Sequence, residues 1–72
     1  MNATAKVKVS ELHVGDTVTV RLGRDCSATT GVVTYAERGR TYLRYPVPVS
    51  AYAPDGVGKM RISHRHIIHR HL

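Results

Sequence analysis

Two of the three large aromatic residues are missing: the chain has no tryptophan and no phenylalanine, only four tyrosines. Cysteine occurs once, at Cys26, so no disulfide can form within the chain, and the composition suits a reducing compartment. The neighbours Asp25 and Ser27 give that thiol no activating surroundings, and it reads as a free cysteine near a turn. Long apolar runs are absent. No stretch approaches the roughly 20 residues of a membrane span, and no apolar region follows Met1–Lys6 as it does in a secretory leader. A soluble, cytoplasmic protein with no membrane association is expected. Catalytic signatures are lacking as well. There is no Gly-x-Gly-x-x-Gly, no phosphate loop, no nucleophile elbow and no pair of carboxylates at a useful spacing. A chain of 72 residues makes one domain with little room for a water-excluding pocket. The expectation is a protein that is not an enzyme, uses no cofactor and turns over no small-molecule substrate.

Acidic residues are scarce. Five Asp and Glu stand against eleven Lys and Arg, for a net charge of +6 with histidine neutral. The excess is uneven. Residues 1–25 carry Lys6, Lys8, Arg21 and Arg24 against Glu11, Asp16 and Asp25, whereas the seven later basic residues meet only Glu37 and Asp55. Positive charge gathered in this way attracts polyanions or acidic protein surfaces.

What is present is a period-two pattern of apolar residues, which is the signature of strands. Val18, Val20 and Leu22 alternate with Thr17, Thr19 and Arg21, and Thr41–Tyr45 is rich in β-branched and aromatic residues. No window gives an amphipathic helix. Gly39 marks a tight hairpin across Glu37–Arg40, because glycine adopts the positive φ such turns require. Pro46, Pro48 and Pro54, which lack an N–H, interrupt pairing. Strands are predicted at 6–9, 16–22, 29–36, 41–46 and 59–63, with a short turn at 63–66 and a last strand at 67–71. Residues 1–5 are expected to be flexible and 46–58 to form a long loop.

Leu12-x-x-Gly15-Asp16-x-Val18-x-Val20, then Gly31-Val32-Val33, then the hairpin and Tyr42-Leu43-Arg44, resemble the opening of SH3-like small β-barrels, most of all the KOW and related transcription and translation modules. Met60-Arg61-Ile62-Ser63 followed by Ile67-Ile68 is similar to the strand, 3₁₀ turn and final strand that close such barrels. The resemblance implies an all-β fold: a small five-stranded SH3-like barrel over 1–72 with a short 3₁₀ turn before the last strand. It departs from signalling SH3 domains, whose polyproline groove includes a tryptophan, so recognition of proline-rich ligands is not expected. Core packing is the simpler role for Tyr35 or Tyr45, in preference to an aromatic cage.

Two stretches carry the candidate binding residues. At the hairpin, Arg38 and Arg40 flank the tip. Beyond it, Tyr42 and Arg44 share one face if Leu43 takes the other. An exposed ring among arginines suits nucleic acid, since the ring stacks on a base and the guanidinium pairs with phosphate. The second stretch, Lys59–Leu72, holds Lys59, Arg61, Arg65 and Arg70 with His64, His66, His69 and His71, and no acid. The histidines would serve as auxiliary donors whose charge rises on acidification. Their spacing also invites a metal, but no Cys, Asp or Glu joins them and Arg65 and Arg70 would repel a dication, so no metal site is expected.

Two functions follow as expectations. The first is a small basic module that binds RNA or DNA through phosphates in a transcription- or translation-related role. The second is a protein-binding regulator, of the size that phages and plasmids encode, docking its basic face or a strand edge on an acidic host protein.

Overall fold

The structure is a computed structural model that describes residues 3–72. It is all-β. Strands β1 (Thr4–Val7), β2 (Thr17–Arg21), β3 (Thr29–Glu37), β4 (Arg40–Pro46), β5 (Val57–Ile62) and β6 (Ile67–His71) form one antiparallel sheet in the order β1-β6-β2-β3-β4-β5. A single 3₁₀ turn, Val9–Glu11, joins β1 to β2.

Alternation decides which side each residue takes. In β2, Val18 and Val20 are buried while Thr17, Thr19 and Arg21 face away. The same phase buries Val33 in β3, Leu43 in β4, Ile62 in β5 and Ile68 in β6, and with Leu12 these make the core. Each such side chain removed from water contributes about 1.5–3 kcal/mol. Aliphatic residues alone form this core, and none of the four tyrosines joins it.

The sheet must curl around that core. Only four residues, Ser63–His66, join β5 at one edge to β6, and they fold into a turn closed by His66 N–H donating to Ser63 O at 3.1 Å. In a flat sheet β5 and β6 would lie about 19 Å apart, four strand spacings. Five residue steps reach at most roughly 17 Å even fully extended. The core therefore lies on the concave side and the opposite face is convex. Gly31 assists the bend: a Cβ there would stand 2.2 Å from the Arg44 carbonyl oxygen, so only glycine permits this approach of β3 and β4.

Several expectations change. The sheet is not a closed five-stranded barrel. It has six strands, and β1 and β5 at its two edges do not pair. Met1 and Asn2 of the expected flexible segment 1–5 lie outside the described residues, while Thr4 and Ala5 are held in β1 against His71 and Arg70. The 3₁₀ turn precedes β2, where Lys8 N–H donates to the Glu11 carboxylate at 3.2 Å, and not the last strand. Ser63–His66 is a turn and not a 3₁₀ helix, its backbone bond supplemented by side chains: Ser63 N–H donates to His66 Nδ1 at 3.0 Å and Arg65 N–H to Ser63 Oγ at 3.3 Å. The long loop is narrower, 47–56, and internally bonded. Ser50 and Ala53 exchange both backbone hydrogen bonds at 3.2 Å, and Val47 N–H donates to Gly56 O.

Candidate functional site

Cross-strand register assembles the convex face. Leu43 is fully buried, so Tyr42 and Arg44 point outward from β4 as the alternation requires. Tyr42 stands opposite Arg61 of β5, and Arg44 stands opposite Lys59. On the other flank Tyr42 faces Tyr35 of β3, and Arg44 faces Val32. Two rows therefore cross three strands: Tyr35–Tyr42–Arg61 and Val32–Arg44–Lys59. Arg44, Lys59 and Arg61 are exposed, and Tyr42 is half-buried.

A β-bulge decides the place of Tyr35. The register slips between Val33 and Tyr35, leaving Thr34 without a partner. In an unbroken ladder Tyr35 would share the side of Val33 and enter the core. The extra residue sends it outward, 39% exposed, with its ring centroid 5.8 Å from that of Tyr42 and the planes tilted by 58°. Core packing, expected for Tyr35 or Tyr45, is taken by neither: no tyrosine joins the core cluster, and Tyr45 is half-buried. Its ring lies over Gly58, where an added Cβ would come within 2.6 Å of it. Tyr52 is fully exposed in the 47–56 loop, so the four tyrosines form no cage.

The hairpin tip extends the face. Arg38 (φ 53°) and Gly39 (φ 72°) both take left-handed conformations, as a two-residue type I′ turn demands. Asparagine or glycine is the usual choice at the first of these positions. A long cationic side chain there carries a conformational cost without a packing reason, since Arg38 is exposed. Arg38, Arg40, Arg61 and His64 line one cleft of about 370 Å³ between the hairpin tip, the end of β5 and the 3₁₀ turn, floored by Leu12 and Ile62.

Charge is segregated by element. Of the five acids only Glu37 lies on a strand, at the end of β3 opposite Arg40. Glu11 and Asp16 are engaged locally: Glu11 caps the 3₁₀ turn, and Asp16 accepts from His13 N–H at 2.9 Å. Asp55 accepts from Val57 N–H at 3.2 Å and borders the depression beside Arg44 and Lys59. Among the described residues, no ion pair forms at Arg38, Arg40, Arg44, Lys59 or Arg61.

The basic stretch from Lys59 onward does not act as one surface. Lys59 and Arg61 join the convex face, and His64 and Arg65 are exposed in the turn. His66 is held in that turn by Ser63. Arg70 is placed differently. It lies opposite Val18, on the core side of β6, where its guanidinium is 3.9 Å from the Asp16 carboxylate and donates to the Glu11 carbonyl at 3.4 Å. His69 and His71 are on the convex side but in the other half of the sheet, next to β1 and β2. His71 Nε2 lies 2.8 Å from the Thr19 hydroxyl, which in turn bonds Thr30 at 2.8 Å. Among the described residues, no group of three or more His, Cys, Asp or Glu is arranged to hold a metal.

Comparison with protein-family models, curated proteins and solved structures finds no match to this chain. No helix among the described residues is long and apolar enough to cross a membrane.

Proposed function

We propose that this protein is a binding module for nucleic acid, engaging phosphates with the convex face of β3–β5 in a transcription- or translation-related setting. The observation that carries the reading is the register that sets Arg44 beside Lys59 and Tyr42 beside Arg61, with no carboxylate paired to any of them. Unpaired cations on a shallow surface suit a phosphate backbone, which needs charge more than exact geometry. Arg38 and Arg40 extend the footprint at one end. Arg38 supports the reading further: a strained backbone position filled by a cation is an expected mark of a binding site. Arg65 and His64 lie at the margin as auxiliary donors, and Arg70 serves the sheet itself. An SH3-like ancestry remains part of the proposal, supported by the β2-β3-β4-β5 meander and by β6, which returns to pair with β2.

The test is a titration of labelled RNA and DNA oligonucleotides at low and moderate salt. Each phosphate contact steepens the fall of log K against log salt by about 0.7 on single strands and 0.9 on duplex. The expected result is binding at low salt that weakens steeply as salt rises. Absence of binding, or binding flat in salt, would overturn the reading.

A second reading is favoured by the open edge of β5. Val57–Ile62 pairs with β4 on one side only, so its other side offers backbone groups to a strand from an acidic protein. Lys59 and Arg61 on that edge would select an acidic partner and discourage self-pairing. Cross-linking from β5 to a strand of a purified partner, undiminished by nuclease, would favour this reading over the first.

A further inference from the structure

We infer that the Tyr35–Tyr42 pair is a stacking platform that makes the convex face select single-stranded nucleic acid over duplex. The inference rests on the nucleic-acid reading above and adds the class of nucleic acid.

Three features carry it. Tyr35 reaches the outer face only because the bulge at Thr34 shifts the ladder, so a local irregularity sets an exposed ring beside the half-buried, outward-pointing Tyr42. The core on the opposite side is complete without either ring. Cations surround the pair. Arg61 is directly opposite Tyr42, while Arg40 and Arg44 lie two residues before and after it on the same strand and so face the same way.

Duplex and single strand would use this surface differently. In a duplex the base faces are stacked on one another and the rim is phosphate, so a convex sheet offers its cations contacts and its rings none. In a single strand the base faces are free. A ring then stacks on a base while the adjoining guanidinium meets the phosphate, a sequence-tolerant gain. The 58° tilt prevents both rings from lying parallel to one base. Successive bases therefore take one ring each.

Fluorescence anisotropy would test this with oligouridine, oligodeoxythymidine and a DNA duplex of matched phosphate number, using the wild type, Tyr42→Ala, Tyr35→Ala and Tyr42→Phe. Circular dichroism would confirm that each variant is folded. The expected result is tighter binding of the single strands by the wild type. Loss of either ring should weaken single-strand affinity about tenfold while leaving duplex affinity within about twofold. Tyr42→Phe, which keeps the ring, should retain the preference. Equal loss on single strand and duplex, or a wild type that favours duplex, would overturn the platform and leave phosphate binding standing. No salt-dependent binding to any of the three would overturn the nucleic-acid reading and the platform with it.

Discussion

β5 and β6 are both basic strands from one continuous stretch of sequence, yet they have opposite uses. β5 is an edge strand, and Lys59 and Arg61 extend from its outer side without partners. β6 is paired on both sides, by β1 and β2. Its Ile68 is in the core, its Arg70 ties Asp16 and the Glu11 carbonyl, and its His71 meets Thr19. The difference teaches that a run of positive charge in sequence is not a positive surface. Position in the sheet decides which cations are left for a partner.

The largest effect should come from cutting into β6. Ile68→Ala removes a fully buried core side chain and should cost about 2–5 kcal/mol, much of the stability of so small a domain. Lys59→Ala on β5 should change stability by no more than about 0.5 kcal/mol. Urea denaturation followed by circular dichroism measures both, and comparable losses would erase the distinction between the strands.

The reverse contrast should appear in binding. Lys59→Ala combined with Arg61→Ala should reduce the log–log salt slope on a single strand by roughly 1.4, two phosphate contacts. Arg70→Ala should leave that slope unchanged and lower stability by about 0.5–1 kcal/mol, the scale of a partly exposed ion pair. A reduced slope for Arg70→Ala would place it among the binding residues after all.

The smallest effect sharpens the comparison at the hairpin. Arg38→Asn suits the left-handed turn better and should stabilise the fold by about 0.5–1 kcal/mol while weakening nucleic-acid binding. A variant that gains stability and loses no affinity would make Arg38 an accident of the turn.

Much of this arrangement was legible in the sequence. Alternation in 17–22 carried the phase of β2, and in the β-rich run 41–45 an inward Leu43 implied the outward pair Tyr42 and Arg44. Pro46 and Gly39 marked real ends. The places that escaped are those where local pattern yields to tertiary pairing. A bulge adds one residue with no signal of its own, so the simple period-two reading puts Tyr35 inside. The first strand, expected at 6–9, lies at Thr4–Val7 instead, because pairing with β6 holds 4–7 while Val9–Glu11 turns into the 3₁₀ helix. Closure of the sheet depends on whether its two edges meet, which no periodicity encodes. The fate of Arg70 depended on Asp16, distant in sequence and adjacent only once β6 lies beside β2.

The central claim is that partners meet the convex side of β3–β5 and not the β6 side. Mapping ¹⁵N–¹H chemical-shift changes during titration with oligouridine tests it most directly. Shifts should concentrate at Tyr35, Tyr42, Arg44, Lys59 and Arg61, with the hairpin tip following and Thr4–Val7 and Ile67–His71 nearly still. Shifts centred on β1 and β6, with β4 and β5 unmoved, would contradict it.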